Sequence, residues 1–328
     1  MSNAVTLSAS ANLYQLPLRF PLASGLVLEG AMLGFEEIGS QDAPAVAVLG
    51  GISAGRHVAS SAVDPAPGWW EPFVGPGRAL DTGTLRVLGV DFLGGVGASS
   101  GPASTGLGAS FPQVDASDQA RAIARLLDHL GIDRLRAFVG ASYGGQVALA
   151  FAAEHADRLE RAVVIAAAHE SHPLARAWRL VQRGILDLGV AAGKETQAVA
   201  LARALAMTTY RAPEELLARF GGDGGDLEAW LAARGRAFAD RFDAASYGIL
   251  SRAIDLSRVV PERIAVPATL VAFPGDRLVP IELSRELRRR LAGPAVLHEI
   301  DTPYGHDGFL KEVGALSEVL RGALEVSS

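Results

Sequence analysis

The order of apolar and amphipathic segments limits the folds that this chain can adopt. Short apolar runs, several ending in glycine, alternate with segments whose apolar residues recur every three or four positions. Near the middle of the chain, a predicted strand at 135–140, a helix at 144–155 and a strand at 161–168 follow one another directly. Because strands that alternate with helices form right-handed βαβ units, this order predicts a parallel sheet.

A glycine-flanked serine lies at one of the predicted strand-to-helix junctions. Residues 140–144 are GASYG, which matches the pattern G-x-S-x-G between an apolar strand and an Ala-rich helix. Glycines are needed there because a side chain two residues before or after the serine would collide with the neighbouring strand and helix. The following helix N-terminus also favours negative charge beside Oγ. The motif predicts Ser142 as a nucleophile; the alternative is a glycine-rich turn with a helix-capping serine.

An aspartate and a histidine follow two later strands, in the chain order that serine hydrolases use. Asp276 and His306 each come a few residues after an apolar run. In an open parallel sheet, the carboxyl ends of such strands meet where catalytic groups lie. We expect His306 to take the proton of Ser142, and Asp276 to orient the imidazole and stabilise its charged form. Asp301 is the rival acid, although it shares a loop with His306.

Acyl transfer also needs two N–H donors for the oxygen of its tetrahedral intermediate. One should be the backbone of Tyr143, directly after the nucleophile. The other should be the backbone of Ile52, which follows two glycines at the end of an apolar run. Glycines before Ile52 let the backbone approach a substrate closely. The alternative for Ile52 is a plain β-turn.

Nucleophile, acid and base in this order are typical of the α/β-hydrolase fold. The strand–helix alternation occupies residues 1–170 and resumes over 257–328, whereas 171–256 is a series of helical segments rich in Ala, Leu and Arg. We therefore predict an α/β fold with a mostly parallel sheet flanked by helices. Its core should consist of two parts, 1–170 and 257–328, with an inserted helical lid at 171–256.

The composition argues against several classes of function. The formal net charge is -6 without a basic tract, so nucleic acid is not the expected partner. The chain has no cysteine, which removes disulfides, thiolate metal sites and a cysteine nucleophile. No basic segment leads into an apolar stretch, and no apolar run reaches about 18 residues, so we expect a cytoplasmic protein without a membrane segment. No metal and no bound organic cofactor is implied.

Several blocks of the sequence resemble one family of acyltransferases. Residues 68–70 are GWW, 74–82 are VGPGRALDT, 93–95 are LGG and 100–104 are SGPAS. With LLDHLGI, ARALAMTTYR and YGHDGFL, they are similar to the homoserine O-acetyltransferase and O-succinyltransferase family over nearly the whole chain. The resemblance implies transfer of an acyl group from acetyl-CoA or succinyl-CoA to L-homoserine, in methionine biosynthesis. It also suggests a homodimer.

The resemblance further implies two contacts to the acceptor amino acid. Arg183 matches the family's arginine that holds the homoserine carboxylate, and Asp307 matches the aspartate that binds the amine. One cation and one anion suit a zwitterion. The alternatives are a solvated helix arginine and a helix-capping aspartate. The chain departs from the family at Tyr143, where methionine is usual, and at Arg179, where asparagine is frequent. These departures leave L-serine as an alternative acceptor.

The acyl donor depends on the positions that follow Asp276. In succinyl-using relatives an arginine often stands two positions after this aspartate, and here that position is Leu278, which indicates acetyl-CoA. Arg277 is adjacent, however, and Arg179 adds a second cation that could pair with the carboxylate of a succinyl group. We therefore favour succinyl-CoA over acetyl-CoA. The alternative is that Arg277 points to solvent.

The expected cycle is ping-pong, with CoA leaving before the acceptor hydroxyl takes the acyl group from Ser142. Transfer exceeds hydrolysis only if water is excluded, a role we assign to the predicted lid. The competing enzyme is a serine esterase or lactonase on the same fold. A non-catalytic ligand-binding relative is the third hypothesis, against which the intact set of Ser142, Asp276 and His306 counts.

Overall fold

The computed structural model describes residues 12–222 and 225–325. The predicted first core segment starts at residue 1, so its residues 1–11 lie outside the described part, as do 223–224 in the predicted lid and 326–328. The strands are β1 Asn12–Gln15, β2 Arg19–Pro21, β3 Val27–Glu29, β4 Met32–Ile38, β5 Ala45–Leu49, β6 Arg86–Val90, β7 Ala137–Ala141, β8 Ala162–Ile165, β9 Ala268–Ala272 and β10 Ala295–Glu299. The α-helices are α1 Pro102–Thr105, α2 Ala116–His129, α3 Tyr143–Glu154, α4 Pro173–Ala191, α5 Glu195–Tyr210, α6 Pro213–Phe220, α7 Leu227–Ala239, α8 Ala244–Leu256, α9 Ile281–Arg290, α10 Gly308–Lys311 and α11 Val313–Leu324.

The main sheet has eight strands in the order β1-β4-β6-β5-β7-β8-β9-β10. β1 and β4 pair antiparallel, as do β4 and β6, whereas all pairs from β6 to β10 are parallel. The predicted α/β fold with a mostly parallel sheet is thus confirmed. The chain moves outward from β5 to β6 and then returns to place β7 on the other side of β5. The loops after β5 and β7 therefore diverge, which opens the crevice where parallel sheets bind ligands.

The central strands are buried on both faces. In β5, Ala45, Ala47 and Leu49 belong to the core on one face, whereas Val46 and Val48 belong to the core on the other. Residues from α2, α3 and α9 complete the first core, and residues from α11 and the loop between β5 and β6 complete the second. Burial on both faces explains why these strands are continuous apolar runs instead of alternating ones.

Helices α4 to α8 lie in the chain between β8 and β9, which is the stretch where we predicted a lid. Leu186, Val199, Phe238 and Leu250, from four of these helices, belong to the same buried cluster as the residues of α2 and α3. The inserted helices therefore share a core with the sheet, and the division into three segments stays a prediction. Within the two described ranges, no helix has the length and apolar character to cross a membrane.

Candidate active site

Ser142 stands between the end of β7 and the start of α3 in a strained backbone conformation. Its φ and ψ are 54° and -119°, a region that non-glycine residues seldom occupy. A Cβ added to Gly140 would lie 2.1 Å from the carbonyl oxygen of Gly144, and one added to Gly144 would lie 2.3 Å from that of Leu49. Both glycines are thus required by close backbone packing, for the reason that the G-x-S-x-G pattern predicts.

The structure brings Ser142, His306 and Asp276 into one chain of hydrogen-bonding contacts. His306 Nε2 lies 2.8 Å from Ser142 Oγ, and His306 Nδ1 lies 2.6 Å from Asp276 Oδ2. The other oxygen, Asp276 Oδ1, accepts from the backbone N–H groups of Leu278 at 2.8 Å and Val279 at 3.0 Å. These bonds hold the carboxylate so that Nδ1 donates to it, which leaves Nε2 free to accept the serine proton.

The protonation of His306 results from opposing influences. Burial lowers the pKa of its imidazole, but the charge and hydrogen bond of Asp276 outweigh burial, so the pKa is raised above 6.5. Asp307 adds to the increase, whereas Arg179 opposes it. Asp301, the rival acid, is exposed. A buried imidazole held by a carboxylate, with its second nitrogen on a serine hydroxyl, can act as a general base.

The two predicted oxyanion donors lie close to Ser142. Both Tyr143 and Ile52 line the cavity that contains the serine. In the part of the chain that the structure describes, neither backbone N–H donates to a protein acceptor, so both are available to a ligand oxygen. The Tyr143 side chain is buried against Phe92, with ring centres 4.9 Å apart. The hydrophobic core therefore accommodates the Tyr143 side chain, which stands where the family usually has methionine.

A cavity of about 270 Å³ lies beside Ser142, under helices α4, α5 and α8. Its charged lining residues are Glu170, Arg179, Arg203, Arg241 and Asp307. Pockets for drug-sized ligands span roughly 300 to 1,000 Å³, so this space suits an acyl group or a small amino acid better than a nucleotide. Among the described residues, no group of three or more histidine or acidic side chains is arranged to hold a metal.

Of the two predicted acceptor-binding residues, the structure places only Asp307 on the cavity wall, where its Oδ2 lies 3.0 Å from Arg211 Nη2. Arg183 lines a separate cavity. Its Nη1 donates to Ser251 Oγ at 3.0 Å, and its Nη2 lies 2.8 Å from Asp255 Oδ2. Both predicted residues are therefore paired with protein groups.

The two residues predicted to set acyl specificity, Arg277 and Leu278, lie in different environments. Leu278 is buried and lines the cavity. Arg277 is exposed, and its guanidinium carbon lies 4.9 Å from the ring centre of Trp178. This geometry agrees with the alternative interpretation, in which Arg277 lies at the protein surface.

The sequence analysis did not identify several cavity residues, among them Gln146 and Gln182. Gln146 is 6% exposed, and its side-chain oxygen has no hydrogen-bond partner among the described residues. Gln182 accepts a hydrogen bond from the Tyr247 hydroxyl at 3.1 Å. The signal for Gln146 was its position four residues after Ser142, which is one turn further along α3. Gln182 had no such signal, because nothing in the sequence shows which side of α4 faces Ser142.

The chain is similar in sequence and in fold to known proteins. Residues 44–313 match the model of the alpha/beta hydrolase fold family. The chain is 44% identical to a homoserine O-succinyltransferase of Xanthomonas campestris pv. campestris, over 90% of this chain and 79% of that protein. It is 36% identical to a homoserine O-acetyltransferase of Symbiobacterium thermophilum, over 93% and 91%. The crystal structure of homoserine O-acetyltransferase from Bacillus anthracis has a TM-score of 0.88 at 19% identity, covering 97% of this chain and 98% of that one, which indicates a common fold.

Proposed function

Since the chain belongs to the homoserine O-acetyltransferase and O-succinyltransferase family of the α/β hydrolases, we propose that it transfers an acyl group from an acyl-CoA to L-homoserine in methionine biosynthesis. The observation that carries this proposal is the contact chain from Ser142 Oγ through His306 to Asp276, with distances of 2.8 and 2.6 Å, beside a small cavity. L-Serine is the alternative acceptor. A homodimer is proposed from the family resemblance.

In the first half of the cycle, Ser142 becomes acylated. His306 Nε2 accepts the hydroxyl proton while Oγ attacks the thioester carbonyl. The N–H groups of Ile52 and Tyr143 donate to the developing oxyanion, and the intermediate collapses to expel the CoA thiolate. His306 then returns its proton to the thiolate, so free CoA leaves and acyl-Ser142 remains. The cavity holds the acyl group, while the bulk of CoA lies outside.

In the second half, the acceptor hydroxyl takes the place of CoA. His306 removes its proton, the oxygen attacks the acyl carbonyl, and Ser142 leaves with the proton that His306 held. Water competes with this step. Helices α4, α5 and α8 form one wall of the cavity, and we propose residues 171–256 as the lid that limits access of water to acyl-Ser142.

For the acceptor, we propose Arg183 and Asp307 as the groups that recognise the carboxylate and the amine. Arg183 is held by Asp255 and Ser251, and Asp307 is held by Arg211. Breaking a buried ion pair is costly because it leaves an uncompensated charge. Binding of a zwitterion therefore has to add its charges to these pairs instead of displacing one member.

For the donor, we propose succinyl-CoA in preference to acetyl-CoA. In support, the succinyltransferase relative is 44% identical to this chain and the acetyltransferase relative 36%. Arg179 is a cation on the cavity wall, as a succinyl carboxylate requires. Against it, Leu278 is an apolar residue of the cavity wall, and Arg277 lies at the surface.

The test is a transfer assay with succinyl-CoA or acetyl-CoA as donor and L-homoserine or L-serine as acceptor. CoA release and the O-acyl product are measured together. We expect O-acylhomoserine to form faster than free acid, with succinyl-CoA giving the higher kcat/KM. Ser142→Ala should retain its circular dichroism spectrum but lose roughly 10⁴- to 10⁶-fold in rate and carry no acyl mass after incubation with donor. Release of free acid alone would indicate an esterase or lactonase, and acyl mass on Ser142→Ala would contradict the nucleophile.

A further inference from the structure

Three buried charged side chains form a cluster behind the wall of the cavity. Arg179 and Arg183, one turn apart on α4, both contact Asp255 at the end of α8. Arg179 Nε donates to Asp255 Oδ1 at 2.8 Å, and Arg183 Nη2 lies 2.8 Å from Asp255 Oδ2. Each arginine is 8% exposed, and so is the Asp255 side chain. We call these three residues the α4–α8 ion cluster.

The α4–α8 ion cluster has an excess of positive charge. Two guanidinium groups share one carboxylate, and an arginine does not lose its proton in a protein, so the net charge is +1. Burial lowers the pKa of Arg179, and the neighbouring Arg183 lowers it further, while Asp255 opposes both. A buried charge without a counterion is unfavourable. The cluster therefore has the electrostatics of a site that an anion completes.

Arg179 is the member of the cluster that faces the reacting groups. It lines the same cavity as Ser142 and His306, whereas Arg183 does not. Arg179 Nε and Nη2 both contact Asp255 Oδ1, at 2.8 and 2.7 Å, whereas Nη1 contacts no acceptor in the described part of the chain. Two nitrogens of Arg179 thus anchor the side chain on Asp255, and the third remains for a ligand.

Other anions of the cavity do not neutralise Arg179. Asp307 is paired with Arg211, at 3.0 Å. Glu170 lines the cavity but is exposed, so solvent screens its charge. The neighbours Gln182 and Tyr210, which also line the cavity, carry no carboxyl group. Among the described residues, no second carboxylate of the cavity pairs with Arg179, so a ligand anion would complete the cluster.

We propose that Arg179 binds a carboxylate of a substrate directly, and that Asp255 and Arg183 position it for this contact. The planar fork of an arginine fits a carboxylate, and the small cavity admits a short acid. Two substrates of the proposed reaction could supply the group: the distal carboxylate of a succinyl donor, or the α-carboxylate of the acceptor amino acid, for which Arg179 would then replace Arg183 as the direct partner. This inference rests on the proposed function and adds a binding residue that the family pattern does not include.

The matched pair of variants is Arg179→Gln and Arg176→Gln. Without Arg179, the cluster becomes the neutral pair of Asp255 and Arg183, so we expect the variant to fold. Arg176 is exposed on the same helix, three residues earlier, and serves as the control for loss of one positive charge from α4. If Arg179→Gln does not fold, Arg179→Lys replaces it, since lysine keeps the charge but lacks the fork.

Steady-state kinetics with both donors and with L-homoserine distinguish the two sources of the carboxylate. If Arg179 binds the donor, Arg179→Gln lowers kcat/KM for succinyl-CoA by about 10- to 100-fold and leaves that for acetyl-CoA unchanged. If it binds the acceptor, the KM for L-homoserine increases by a similar factor with either donor. Either result supports the proposal, provided that Arg176→Gln behaves as wild type.

Two results would overturn the proposal: no change in any constant, or an equal decrease for both donors without a change in the acceptor KM. The second result would mean that Arg179 only supports the structure. A wild-type enzyme that hydrolyses both thioesters but forms no O-acyl amino acid would contradict the proposed function instead. In that case the ratio of succinyl-CoA to acetyl-CoA hydrolysis in wild type and Arg179→Gln decides the role of Arg179.

Discussion

At the scale of single residues, the proposed chemistry depends on the protonation of one imidazole. His306 is 5% exposed, and burial alone would lower its pKa. Asp276, 2.6 Å from Nδ1, raises the pKa by more than burial lowers it. A base acts only in its neutral form, so the carboxylate that orients the ring also moves the acid limit of activity to higher pH.

We therefore predict that Asp276→Asn shifts the acid limb of the pH–rate profile, which is the fall in kcat/KM at low pH. In the wild type, kcat/KM for the acyl-CoA should fall with decreasing pH through an apparent pKa above the ordinary 6.5 of imidazole. Without the charge of Asp276 the limb should move to lower pH, and the rate should fall by about 10⁴-fold because the tautomer is no longer held. The exposed Asp301→Asn is the control and should leave the profile unchanged. A limb that stays in place in Asp276→Asn would show that another group controls it.

At the scale of elements, one histidine holds the long loop that leaves β5 and carries Ile52. His57 Nδ1 lies 3.0 Å from a carboxylate oxygen of Glu36 on β4, and Nε2 lies 2.7 Å from the carbonyl oxygen of Ala66. Both ring nitrogens face acceptors, which favours the doubly protonated imidazolium. Burial lowers the pKa of His57, but the Ala66 carbonyl and Glu36 together raise it above 6.5. The imidazole ring thus connects His57 and Ala66 of the loop to Glu36 of the sheet.

This contact predicts a pH-dependent stability. A pKa that is higher in the folded than in the unfolded chain stabilises the fold below the unfolded value of 6.5, and this contribution is lost as the pH rises through the folded value. Glu36→Gln should therefore lower the melting temperature at about pH 5.5 and have little effect well above the folded pKa. Glu29→Gln, at an exposed position of β3, is the control. An equal loss at every pH would mean that Glu36 contributes by packing alone.

At the scale of the whole molecule, the inserted helices and the sheet share one buried cluster. Phe238 and Leu250 of the inserted helices are 2% and 0% exposed and belong to the same cluster as Phe138 of β7. A segment that contributes to the common core cannot separate from it without exposing apolar surface. Any movement of the predicted lid should therefore be local to the helices at the cavity, with the shared core intact.

We therefore predict that the inserted helices and the sheet unfold together in a single transition. The chain has four tryptophans, of which Trp178 and Trp230 lie in the inserted helices. In the double variant Trp178→Phe/Trp230→Phe, fluorescence reports only on Trp69 and Trp70 beside β5, while circular dichroism reports on all helices. We expect both signals to give the same urea midpoint. An earlier circular dichroism transition would show that the inserted helices unfold on their own.

The local features of the fold and site were predictable because they depend on neighbours in the chain. Apolar runs and helical periodicity located the elements around Ser142 to within a few residues, as for α3, predicted at 144–155 and observed at Tyr143–Glu154. The order of Ser142, Asp276 and His306 placed them at the same edge, since parallel strands bring their carboxyl ends together. Their distances support the proposed triad, whose catalytic role stays a prediction.

The strand–turn–helix at Ser142 and the order of the groups that meet it follow from the sequence, because steric and periodic constraints act over a few residues. Which charges face the cavity depends instead on how distant segments pack. Arg179 and Arg183 are one turn apart and equivalent in the helical pattern, yet Asp255, more than 70 residues later, holds both and leaves Arg179 toward Ser142. Arg277, in turn, lies on Trp178 outside the cavity. Such choices depend on the packing of α4 against α8, and ion pairing between distant segments leaves no periodic trace in the sequence.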